Sequence, residues 1–338
     1  MKYLLGYSIP LSTFLSLYLL SGYSYITLGY AFGLVPILDS IIPINKENLS
    51  KEDAESIKNH RFYDWLLYLN FPMILGLLIY GFHIIRNQSL THIELGGVIS
   101  SLGILVGTNG INVAHELGHR NSRFDKTLAK IFLIPALYMH FYIEHNFGHH
   151  KNVGTDEDGA SAKKNQFIYH FWATTIFIQY KSAWKIQFQL LNKKGYSFFS
   201  PKNDLFYYTL IQISYLFVLY LFLGIKGPIF GIIIAIFAIL LLETINYIEH
   251  YGLRRKLENG KIERVKPMHS WNSDHVIGRY VLYELTRHSD HHHISSKKYQ
   301  LLESKEESLH LPFGYPTSMM IALIPPLWFW LMNPKLEG

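Results

Sequence analysis

The chain has 338 residues, of which 49% are hydrophobic, 15% aromatic and only 17% charged, with a net charge of +6. A soluble domain carries about 25% charged residues, so the deficit points to a bilayer. There is no cysteine, which excludes disulfides, thiolate-held zinc or iron–sulfur clusters and cysteine nucleophiles within the chain.

Taken in order, the apolar stretches are Tyr3 to Leu20 and Ser24 to Pro43, separated by Ser21–Gly22, then Trp65 to Ile85 and Leu95 to Ala114. Leu205 to Leu223 and Pro228 to Ile248 form a close pair around a Gly224–Gly227 turn. Each runs to about 20 residues, enough to cross about 30 Å of hydrocarbon as a helix. A polar linker is expected over Asn45 to His60, and a surface hairpin over Leu257 to Met268 with Asn259–Gly260 at its tip. The shorter runs Phe132 to Phe141 and Met319 to Leu331 read as interfacial or re-entrant pieces. The expected fold is an all-α integral membrane protein with six transmembrane helices, forming a single membrane-embedded catalytic domain over 1–338. With one Lys2 and no small-x-small site, the first stretch reads as a retained helix and not a cleaved signal peptide.

Lys and Arg concentrate in segments 115–204 and 250–338, while the connections near Arg86 and Lys226 carry almost none. The positive-inside rule places both basic segments and the N-terminus in the cytoplasm. Four helices before the first segment and two between the segments keep the parity consistent. The positive charge therefore reads as topology and as a surface for anionic lipid or an acidic partner, not for nucleic acid.

Four histidine groups lie at the cytoplasmic ends of these stretches: His115 and His119 in "HELGH", His145, His149 and His150 in "EHNFGHH", His250 in "NYIEHYG", and His288, His291 and His292 in "RHSDHH". Spacings of three and four place residues on one helical face. H-E-x-x-H alone suits a zinc protease, with Glu116 as general base. That reading accounts for two histidines and leaves seven without a role. One zinc takes about four ligands, so nine imidazoles suit two metals with open positions. All-nitrogen ligation fits iron, copper or zinc better than magnesium or calcium. Glu116, Glu144, Glu249 and Asp290 each adjoin a histidine. Neighbours diverge by about 100° on a helix, so each acid is expected to hydrogen-bond a histidine of another group and fix its tautomer. Glu243 and Asn246 serve either the site or interhelical hydrogen bonding.

With these boxes, "NYIEHYGL", "HSWNSDH", "LPFGYP" and "VPILDS", the chain resembles the integral-membrane alkane 1-monooxygenases over nearly its whole length. The three boxes are shared with membrane fatty acyl desaturases and xylene-type hydroxylases; "NYIEHYGL" followed by "HSWNS" is more specific to the alkane hydroxylases. The chain departs from the family pattern at Ile294–Ser295–Ser296 and at Gly159, where a proline is usual, and the ligand positions are intact. The resemblance implies two non-haem iron ions held by the nine histidines, O2 as co-substrate, and hydroxylation of a terminal methyl to a primary alcohol. It implies electrons from rubredoxin, fed by rubredoxin reductase, as a separate protein, since a fused rubredoxin would need cysteines. It also implies a bacterial inner membrane location and an apolar channel from the lipid, with Trp65, Leu69, Leu102 and Ile104 as candidate lining residues. The competing readings are a desaturase or xylene-type hydroxylase with the same site, a membrane zinc metalloprotease, and a metal transporter or sensor.

Overall fold

Hydrocarbon offers no water to pair backbone N–H and C=O, so a crossing segment must close its own hydrogen bonds as a helix. The computed structural model, which describes the backbone of residues 1–258 and 260–336, is helical almost throughout, and its strands are two-residue pairs. Among the described residues, five helices are long and apolar enough to cross a membrane: Ser21–Ile41, Arg61–Asn87, His92–Gly118, Asp204–Leu223 and Lys226–His250. They are the first to fifth spans below. The chain is an integral membrane protein built on them.

The sequence leads to six such helices, and the difference lies at the N-terminus. Lys2–Tyr7 is a 3-10 turn and Ser8–Leu19 a helix of 12 residues, which covers about 18 Å. Ser12, Thr13 and Ser16 interrupt its apolar run and are buried against protein. Ser16 Oγ lies 3.0 Å from Thr27 Oγ1 and accepts from the Thr27 backbone N–H. Small hydroxyl residues there serve helix contact and not lipid exposure, which lowers the hydropathy of the stretch. Its two ends nevertheless lie far apart. Lys2 Nζ is 3.7 Å from Glu284, near the third histidine box, whereas Ser21 N donates to Glu94, at the opposite end of the third span from His115. The break after the helix is made by Leu20 and Ser21, at φ 51° and 48°, and not by Gly22.

The third span is the central post, with 78% of its apolar window buried against 17% for the fourth. Thr91 and Glu94 start it with a reciprocal capping box, which satisfies two otherwise unpaired N–H groups. The fourth and fifth spans form the expected hairpin. A side chain at Gly227 would place its Cβ 2.1 Å from the Leu219 carbonyl oxygen, so only glycine lets the two helices approach there.

Between the third and fourth spans runs a 25-residue helix, Ile168–Asn192, that hydropathy does not reveal. Its buried stripe, Phe171, Thr175, Gln179, Ala183 and Gln187, keeps helical spacing but is partly polar, because it meets the buried Glu243. The linker after the first span carries a helix, Lys51–Lys58, capped by Ser50 and led by Glu52 and Asp53. The expected hairpin is present as Leu257–Glu258 paired antiparallel with Lys261–Ile262; Asn259 at its tip lies outside the described residues. The run Met319 to Leu331 falls within two short helices, Tyr315–Ala322 and Pro325–Met332.

Candidate metal centre

Each histidine box reaches the site on a helix end. His115 sits in Asn112–Gly118, after a π-helical turn at Val106–Ile111 within the third span, and His119 caps that helix. His145–His149 is itself a π-helical turn. His250 ends the fifth span, and His288–His293 forms a short helix of its own. Gly148 admits the second box: a Cβ there would lie 2.7 Å from Glu144 Oε1 and 2.8 Å from Ile186 of the long helix.

All nine predicted histidines converge, in two groups that could each hold a metal ion: His115, His119, His145, His150 and His291 in one, and His149, His250, His288 and His292 in the other. Within each group the ligating nitrogens all lie within 4.8 Å of one another. The sorting departs from simple helical spacing. His115 and His119 share a group as i, i+4, and so do His288 and His292. His145 pairs with His150 and not with His149, because a π turn bonds i to i+5; their Nε2 atoms are 3.0 Å apart. The neighbours His291 and His292 fall into different groups because adjacent residues diverge by about 100°.

The donor set fits metal ions. Imidazole nitrogens at about 2.1 Å from an ion stand about 3.0 Å apart at right angles and about 4.2 Å apart across it. The Nε2 pairs of His119 with His145, His150 with His291, and His250 with His288 measure 3.1, 3.2 and 3.2 Å. His115 Nε2, His149 Nε2 and both ring nitrogens of His292 are buried with no hydrogen-bond partner, a costly arrangement without an occupant. Burial and the crowding of neighbouring imidazoles hold His119, His145, His150, His291 and His292 well below the usual histidine range. They are therefore neutral, the form that ligates.

The acids behave unevenly. Glu249 lies 3.2 Å from His288 Nε2, the same nitrogen that faces His250, and accepts from the Tyr315 hydroxyl at 2.8 Å, so it borders the metal position instead of fixing the His288 tautomer. Glu116 instead accepts from Arg120 at 3.1 and 3.2 Å and from the Tyr299 backbone N–H, and Arg120 bonds Asp64. Asp290 accepts from Lys297 and the Glu303 backbone. Glu144 is buried, which pushes its carboxyl up to about 8. For Glu116 and Asp290 the expected histidine partner is thus replaced by a basic side chain and a backbone N–H, and both acids brace the helices that carry the boxes. The acid that sequence reading misses is Asp158, 3.0 Å from His149 Nδ1. Burial works against charge on this pair, yet the contact raises His149 and lowers Asp158. The only signal is its place in "TDEDG", where nothing separates it from Asp156 and Glu157.

The histidines form one end of a narrow apolar cavity with about 70 Å³ of free space. His115, His145 and His288 border it, with Phe32, Ile104, Leu241 and Met319 among the apolar walls. Of the four expected lining residues only Ile104 is there. Trp65 and Leu69 are more than a third exposed on the outer surface, and Leu102 packs against Gly81. Asn246 lines the cavity and donates to Glu243, which also accepts from Tyr138, Thr175 and Gln179. Glu243 thus serves interhelical hydrogen bonding. The protease reading fails on this geometry: His115 and His119 belong to a five-histidine group, and the carboxylate of Glu116 is occupied by Arg120 and Tyr299.

Known proteins give the family of this chain. Residues 91–308 match the fatty acid desaturase family model. The alkane 1-monooxygenase of Pseudomonas putida is 37% identical over 311 residues, covering 92% of this chain and 77% of that protein. Alkane 1-monooxygenase 2 of Pseudomonas aeruginosa is 35% identical over 323 residues, covering 94% and 85%. The xylene/toluene monooxygenase hydroxylase component of Pseudomonas putida is 30% identical, covering 98% and 88%. The chain belongs to the alkane 1-monooxygenase family, within the wider fatty acid desaturase family.

Proposed function

We propose that this protein is a monooxygenase that hydroxylates the terminal carbon of an alkane to a primary alcohol, using O2 and two electrons. The observation that carries the reading is the placement of nine convergent imidazoles at the end of a cavity with almost wholly apolar walls. In this reading the nine histidines hold two non-haem irons, five ligands to one and four to the other. When bound, the irons supply the reduction of O2 and the oxidising power for the C–H bond. The residues of the chain do the rest. Phe32, Ile104, Leu241 and Met319 hold an unfunctionalised chain by shape alone, so its end meets His115, His145 and His288. The same walls keep water from the reacting carbon. Asp158 fixes the orientation of His149, and Glu249 lies beside the nitrogen of His288 that faces His250.

The whole chain acts as one catalytic domain in the cytoplasmic membrane, with the N-terminus and the histidine boxes on the cytoplasmic side. Lys2–Leu19 is the sixth crossing, supported by the separate levels of its two ends. Electrons come from rubredoxin, recharged by rubredoxin reductase. Lys151, Arg254, Arg255 and Lys256 support a dock for such an acidic carrier, since Arg255 lies over Lys151 and Gly154 beside the second box.

The test is metal content followed by turnover. Protein from iron-replete cells should carry about two irons per chain and convert octane to 1-octanol with rubredoxin, its reductase and NADH. An alkene from an acyl chain would make it a desaturase, and a benzylic alcohol from xylene with no octanol would make it a xylene-type hydroxylase. One zinc and no iron would overturn the reading.

A further inference from the structure

Away from the histidines, the N-terminal helix borders a second cavity in two parts. The apolar part, a groove of about 900 Å³, runs along Leu4, Leu5, Leu11 and Phe14 to Met73 and Leu77 of the second span. The polar part, about 230 Å³, is walled by Arg279, Arg287, Glu284 and Gln300 among others. Lys2 and Tyr280 line both, so the two parts meet there.

Two groups in this cavity are incompletely satisfied by the protein. Gln300 is 2% exposed, and neither its amide nitrogen nor its amide oxygen has a partner; buried amides are normally paired. Lys2 holds its ammonium 3.7 Å from Glu284, long for an ion pair, and about equally over the rings of Tyr3 and Tyr280 at 5.0 and 4.9 Å. Glu284 has closer partners, accepting from Arg279 at 2.8 and 3.1 Å and from the Tyr3 hydroxyl at 2.9 Å. Arg287 is committed to Asp274 and to the carbonyls of Leu302 and Glu47. Arg279 and Arg287 are thus paired with Glu284 and Asp274, which leaves Lys2 as the weakly paired cation of the lining.

We propose that this cavity binds one anionic phospholipid. Its phosphodiester takes the Lys2 ammonium and the Gln300 amide N–H, and one acyl chain fills the groove beside Leu11 and Phe14. The weakly paired Lys2 ammonium favours an anionic headgroup over a zwitterionic one, which carries an ammonium of its own. The bound lipid ties the N-terminal helix to the segment carrying the third histidine box, through Tyr280 and Gln300.

The experiment is native mass spectrometry of the full chain, delipidated in neutral detergent and titrated with phosphatidylglycerol or phosphatidylcholine of identical acyl chains. One phosphatidylglycerol per chain should persist after phosphatidylcholine is shed. Lys2→Gln, at a partly exposed position, should weaken that retention by about fivefold. Gln300→Leu should also weaken it, whereas Lys335→Gln should leave it unchanged. Equal retention of the two lipids by the wild type would overturn the proposal. So would wild-type retention by Lys2→Gln, or displacement of the lipid by inorganic phosphate, which would leave the groove without a part.

Discussion

The two histidine groups are built from the same side chain and supported differently. In the four-membered group, His149 rests on Asp158, and Glu249, held by Tyr315, lies beside the nitrogen of His288 that faces His250. In the five-membered group no carboxylate pairs with any imidazole among the described residues, and the rings contact one another. Of the acids adjacent to its histidines, Glu116 is turned to Arg120 and Tyr299 and Asp290 to Lys297 and the Glu303 backbone. One group thus brings five imidazoles alone, and the other brings four with two carboxylates beside them. Both reach the apolar cavity, through His115 and His145 on one side and His288 on the other.

The sharpest break between the groups separates two adjacent residues. His291→Ala and His292→Ala should each cost more than about 100-fold in alkane hydroxylation, beyond the range of supporting residues. Each should also leave about one metal per chain by elemental analysis, with different spectroscopic signatures for the metal that remains. Identical residual spectra would merge the two groups into one.

Asp158→Asn keeps the shape and removes the charge behind His149. It should weaken metal binding at the four-membered group by about 10- to 100-fold while the other group keeps its affinity, as read by competition with a chelator. Tyr315→Phe removes only the hydroxyl that steadies Glu249. About fivefold weaker binding at the same group is expected, in line with one hydrogen bond of about 1 kcal/mol. Glu116→Gln should have the smallest effect: both metals stay bound within about twofold, and only thermal stability falls as Arg120 loses a charged partner. Loss of either metal in that variant would show that Glu116 supports the site directly and would erase the contrast.

Much of this protein is legible in its residue pattern. Hydropathy is a local property, so five of the six expected spans fall within a few residues of the observed helices. The ligand set is legible as well, because a chain without cysteine has few other soft donors to offer and these histidines cluster where spans end. The stretch Lys2–Leu19 reads ambiguously because its serines and threonine face Thr27 of another helix, a contact that sequence does not display. The helix Ile168–Asn192 escapes hydropathy for a related reason: its buried stripe includes Thr175 and Gln179, polar because they bond Glu243.

The sequence by itself determined which residues could bind metal and roughly where the chain enters and leaves the membrane, since both depend on residue type and on patterns within about 20 positions. Only the tertiary structure decided how the nine imidazoles divide. That division depends on a π turn shifting His145 onto the face of His150, and on helix ends brought together from positions 115 to 292. It also decided which acids serve them, because hydrogen-bond partners follow from the relative rotation of packed helices. Asp158 was chosen over Asp156 by a loop geometry that no local pattern encodes.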